Sequence, residues 1–145
     1  MTNDIVININ GASDPILRVT MHFTTKQLLH LFSRPVVVIA APGAGKYVRV
    51  VQTTYQLNFG TVAFVSVGAD EQLYWGNGNL LADSGASAVF TDTISTISGA
   101  GITVGTMGLT TIEDQPVVFA SRTQDMTVGD GTGKIVVLYT IVDIT

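Results

Sequence analysis

Cysteine is absent from this chain of 145 residues, which excludes a disulfide framework and a thiolate metal site and leaves packing as the source of stability. Charge is scarce as well. Only 12% of residues are Asp, Glu, Lys or Arg, against about 25% in an ordinary soluble domain. Seven Lys+Arg against eleven Asp+Glu give a net charge of -4 and a pI near 4.8. That balance provides no clustered basic footprint, so nucleic acid is excluded as an expected partner. No segment is long and apolar enough to suggest a membrane span, which removes the membrane from the expected partners. The first residues, Met1-Thr2-Asn3-Asp4, lack the basic start and long apolar stretch of a signal peptide, and a chain made in a cytoplasm is expected.

What remains is apolar for its size. Mean hydropathy is +0.42, and a folded 15.3 kDa monomer exposes on the order of 7,000 Å², which few ionic groups are present to cover. Large apolar patches on a free monomer favour association. The composition therefore points to a subunit that buries part of its exterior against copies of itself or a larger assembly.

Along the chain the apolar residues follow the period of strands. Ile5, Ile7 and Ile9 alternate with Val6, Asn8 and Asn10 in a short strand or extended arm, 1–14, punctuated by Asp14-Pro15. From residue 15 to 145 a single domain is expected. Leu17, Val19, Met21 and Phe23 share one face of a second strand. Thr24-x-x-Gln27 has the form of a capping box, and Leu28, Leu29, Leu31 and Phe32 continue at helical spacing until Pro35 forbids more, so about two turns of helix are expected. Pro35 to Ala41 is a compact apolar run. Tyr47 to Phe59 reads as a long strand whose apolar phase shifts, which a bulge near Gln52 or Thr53 would reconcile. Thr61 to Val67 and Gln72 to Trp75 continue the β pattern, Gly76-Asn77-Gly78-Asn79 reads as a turn, and Ser98 to Gly108 as an irregular connection with weak β character. Pro116 to Ala120 and Lys134 to Ile144 complete the set.

Short strands with regular turn signals and one short helix predict an all-β fold, an antiparallel β-sandwich of jelly-roll type. The last strand is apolar on both faces, whereas a sheet with one wet face alternates. The helix, a long loop or a neighbouring subunit can cover the second face; the scarcity of charge favours the subunit, which makes Ile135, Val137 and Tyr139 expected contacts, and Ile5, Ile7 and Ile9 are separately expected to add to a neighbouring sheet or lie on a partner surface.

Chemical motifs are thin. Pro35 to Lys46 looks like a strand entering a phosphate loop, but a G-x-x-x-x-G-K-[ST] pattern ending at Gly45-Lys46 would need glycine at Ala40 and a hydroxyl at Tyr47. A strand pattern follows, so the helix N-terminus that favours bound phosphate is missing. Gly131-Thr132-Gly133-Lys134 repeats the device, and both copies read as glycine turns that start strands. His22 and His30 have no carboxylate at metal-ligand spacing. Ser33, Ser84, Ser87 and Ser121 lie outside any G-x-S-x-G elbow. Asp125 to Gly131 lacks the alternating oxygen ligands of a calcium loop and reads as a turn. Glu113-Asp114 reads as a solvated tip. No catalytic residue, metal or cofactor is expected. Tyr74-Trp75 beside the Gly/Asn turn has the makings of a carbohydrate platform, although a lone Trp at a strand end more often packs inside.

Two blocks carry a resemblance. Pro35 to Val48, and Gly129-Asp130-Gly131-Thr132-Gly133-Lys134-Ile135-Val136-Val137-Leu138-Tyr139-Thr140-Ile141-Val142, resemble small virion proteins of tailed bacteriophages. Among these are the cement or decoration proteins of the capsid exterior, of the cyanophage type. The likeness spans roughly residues 25 to 145 and rests on turn-and-strand punctuation. It implies a β-sandwich protomer that forms a homotrimer, binds the major capsid protein on the virion surface, clamps neighbouring capsomers and catalyses nothing. A receptor- or glycan-binding module of a head fibre or tail is the competing expectation, with carbohydrate as its partner.

Overall fold

A computed structural model describes residues 2–6, 14–78, 81, 86–101 and 109–144. Two antiparallel sheets enclose one core. The larger has the order β1(Thr2–Val6), β2(Ile16–Phe23), β8(Thr132–Asp143), β4(Lys46–Asn58), β6(Thr96–Gly101), and the smaller the order β3(Val36–Ile39), β7(Val117–Ala120), β5(Gln72–Trp75). The expected antiparallel sandwich is present. Among the described residues, α1(Thr25–Leu29) is joined by two further short helices, α2(Ala86–Phe90) and α3(Leu109–Ile112).

Alternation decides the inward faces. In β2, Val19 and Phe23 are buried. In β8, Ile135, Val137 and Tyr139 are buried, opposite Met21, Val19 and Leu17 in register. On β4, Val48 and Val50 face the core, and so do Thr53, Tyr55 and Leu57. The change of phase is absorbed by a bulge between Val50 and Gln52, where Val51 is the extra residue, as the sequence predicts. Phe119 of the smaller sheet lies at the centre. Its ring is 5.3 Å from Phe23, 5.4 Å from Phe90 and 6.3 Å from Tyr55, within the range of favourable aromatic pairs.

The capping box forms as expected: Thr24 Oγ1 accepts from Gln27 N at 3.2 Å, and Gln27 Oε1 accepts from Thr24 N at 2.9 Å. Leu28 and Leu31 then enter the core. Two expectations change. Thr61 to Val67 is no strand; only Val65 bridges to Thr127, because carboxylate bonds hold this segment as a loop. Thr96–Gly101 is a regular edge strand on β4, so the irregular connection expected from Ser98 is irregular neither at its start nor through Gly101, and 102–108 lies outside the described residues. Within the segment read as a short strand or extended arm, residues 2–6 form a strand that pairs along β2, with Ile5 opposite Leu17.

Candidate interaction surfaces

Of the residues expected to make outward contacts, Ile135 and Val137 are fully buried and Tyr139 nearly so. They belong to the protomer's own core, a correction that follows from β8 being the central strand of a five-stranded sheet whose inward face meets the smaller sheet. On the opposite face Val136 lies in register between Thr20 and Thr54, and Leu138 between Arg18 and Gln52. Both are half-buried, flanked by polar side chains of β2 and β4. Ile5 takes part in β1 as described, and Ile7 and Ile9 lie outside the described residues. Trp75 is 1% exposed and Tyr74 is buried, with the Arg122 guanidinium 4.9 Å above the Tyr74 ring. No indole face is presented to a sugar.

The two glycine turns prove to be different devices. Gly43 and Gly45 have φ of 104° and 75°, a region that favours glycine, and their N–H groups are aimed at anions. The anions are the chain's own. Gly43 N donates to Asp114 Oδ1 at 2.8 Å and Gly45 N to Glu113 Oε1 at 2.6 Å. Glu113-Asp114 is therefore the clasp on the start of β4, in place of the expected free tip. Gly133, by contrast, permits close approach: an added Cβ would lie 2.6 Å from Phe90 Cε1.

Carboxylates hold the other loops in the same manner. Asp125 Oδ1 accepts from Phe32 N and Ser33 N at 2.9 and 2.8 Å, while Oδ2 accepts from Ser33 Oγ at 2.6 Å and lies 3.4 Å from His30 Nδ1. Asp130 accepts from Thr61 N, Val62 N and Thr61 Oγ1 at 2.7, 2.8 and 2.5 Å. Asp70 accepts from Ser121 Oγ, Arg122 N and Thr123 Oγ1 at 2.9, 3.1 and 2.5 Å. Glu71 is fully buried and takes hydroxyl bonds from Ser66 and Ser87. Hydrogen bonds to the ionised form lower a carboxyl's pKa. At Asp70 and Asp125 partial burial pushes upward, but the hydroxyl and backbone donors outweigh it and the net shift is downward. At Asp130 the Thr61 hydroxyl, with the Val62 and Thr61 N–H groups, lowers it; at Asp92 the Thr96 hydroxyl and Thr93 N–H do so. Counting Asp70, Glu71, Asp92, Glu113, Asp114, Asp125 and Asp130, seven of the eleven acidic groups hold the fold together. Few are left whose sole role is to face water.

No sequence signal marks these partners, because each pair except Ser66–Glu71, Ser87–Glu71 and the local Asp92 cap is separated by more than 50 residues. Their effect is to fix an apolar exterior. Val62, Val65, Val67 and Val128 are all exposed. They stand on two loops bound side by side by Val65 N to Thr127 O at 3.0 Å, Thr127 N to Val65 O at 2.9 Å, and Asp130. Val128 has φ of 51°, a genuine outlier for a β-branched side chain. Strain of this kind persists where the surroundings over-determine it, and it clusters at functional positions.

A second surface lies between α1 and β3. There Lys26, His30 and Arg34, at four-residue spacing, border a groove of about 430 Å³ floored by Pro35, Val36 and Val37. Two of the chain's seven Lys and Arg side chains thus line one hollow, with a histidine between them. Among the described residues no group of three or more His, Asp or Glu is placed to hold a metal ion, and no helix is long and apolar enough to cross a membrane.

No family model matches the chain, and no curated protein does. A solved structure described as the Cyanophage Pam1 capsid asymmetric unit is similar to it at 15% identity and a TM-score of 0.49, with 92% of this chain and 88% of that chain covered.

Proposed function

We propose that the chain is a non-enzymatic virion structural protein that binds the exterior of a tailed-bacteriophage capsid as a homo-oligomer, a trimer, and stabilises the contacts between capsomers. The observation that carries this reading is the rigid valine surface. Val62, Val65, Val67 and Val128 stand exposed on loops tied by Asp130, on a chain with only 12% charged residues. An apolar patch held at the cost of backbone strain suits a docking face better than a solvated loop. The resemblance in the turn-and-strand blocks supports the same role. A protein that binds only the assembled shell stabilises it by mass action, and closed symmetry is the usual form of a homo-oligomer. The competing glycan-binding reading loses its platform with Trp75 buried.

The test combines the solution mass of the purified protein with sedimentation against empty capsids. A trimeric mass and co-sedimentation are expected, together with silence on a glycan array. A stable monomer at high concentration that leaves capsids untouched overturns the proposal.

A further inference from the structure

We infer that the groove between α1 and β3 takes an acidic, extended segment of a second protein, added alongside β3. The inference rests on the binding role proposed above and names the chemistry of one partner element.

Charge is the first argument. The protein carries a net charge of -4, yet this groove is bordered by Lys26, His30 and Arg34. Among the described residues, neither Lys26 nor Arg34 meets a carboxylate. The nearest acidic group, Asp125, faces His30 at 3.4 Å and is already engaged by Phe32 N, Ser33 N and Ser33 Oγ. A positive rim on an acidic protein selects an acidic occupant.

Shape and spacing supply the second. β3 is an outer strand of its sheet, hydrogen-bonded to β7 alone among the described strands, and an outer strand is a template for an added one. Its first residues, Val36 and Val37, floor the groove, and Val37 is exposed. Alternate residues of an extended chain lie about 6.8 Å apart. Lys26 stands on α1 and Arg34 beyond its C-cap His30, both on the rim of the groove, so an extended segment with carboxylates at every second position presents one to each of these two cations as it runs along the groove. The residues between the carboxylates would turn to the apolar floor.

The test uses the full chain and a fluorescein-labelled nonapeptide in which Asp and Val alternate, followed by fluorescence anisotropy. Two control peptides carry Asn in place of each Asp, or N-methyl groups at alternate residues. Binding of the acidic peptide is expected, weakened at least tenfold by either control, by added salt, and by the variant Lys26→Glu/Arg34→Glu. Both positions are exposed; should that variant fail to melt cooperatively, Lys26→Gln/Arg34→Gln serves instead. The inference is overturned if the acidic peptide does not bind, if the Asn peptide binds as well, or if the variant binds unchanged. It is also overturned if the variant alters the protein's own oligomeric mass, since the groove would then hold a second copy. Peptide binding without capsid co-sedimentation would remove the proposed function and leave the groove's specificity standing.

Discussion

Replacing Val128 by asparagine should stabilise the protomer and weaken its docking at the same time. A left-handed backbone costs an ordinary L-residue roughly 1–2 kcal/mol, and a β-branched side chain at φ 51° stands toward the upper end. Asparagine tolerates this region without the added chain entropy of glycine. The offset is the buried part of the valine. Val128 is 58% exposed, so less than half of a side chain worth about 2 kcal/mol on full burial is lost. The balance is a gain of about 0.5–1 kcal/mol, which raises the melting temperature of a domain this size by about 2–4 °C. On docking, the exposed portion is what a partner would cover. Its loss should cost about 1 kcal/mol per protomer, roughly a fivefold weaker association. Differential scanning calorimetry and quantitative sedimentation with empty capsids read the two effects separately. A lower melting temperature would refute the strain argument, and a higher one with unchanged occupancy would refute the valine surface as the docking face.

Gly133→Ala should destabilise the fold by about 1–3 kcal/mol through overpacking, because the new methyl would meet Phe90 at 2.6 Å and Leu28 at 3.4 Å; urea unfolding measures it, and an unchanged midpoint would mean that α2 is not held against β8. Stability should also fall in acid with a predictable sign. Asp70, Asp92, Asp125 and Asp130 all sit below the ordinary value of 3.8, so the unfolded chain takes up protons first and their contribution, complete above that value, is lost as pH drops through the lowered native values. Asp125→Asn should flatten that acid limb in pH-dependent thermal melts, and an identical limb in the variant would show that Asp125 has no share in it.

Local periodicity was enough for the strands that span the core and for α1. Val19 and Phe23, Tyr55 and Leu57, and the Thr24–Gln27 box are neighbours in sequence, and the forces that place them act over two to four residues. The bulge at Val51 was legible for the same reason, since a phase shift within one strand has only one simple resolution. The helix α2 was not legible: five residues, Ala86 to Phe90, cannot nucleate a helix alone, and α2 exists because Phe90 packs on Tyr55 and Phe119. β8 shows the limit most directly. Its two apolar faces suggested contact with a neighbour, yet whether Ile135, Val137 and Tyr139 faced inward depended on which strands flank β8 and which sheet covers it.

Composition and short-range pattern are properties of the chain alone, and they already set the β-rich class, the lack of disulfides and the shortage of charge. Where that shortage is displayed depends on how distant segments pack. Asp70, Asp125 and Asp130 find their Ser and Thr partners only once segments more than 50 residues apart are brought together. Their bonds then fix which valines and which cations face outward.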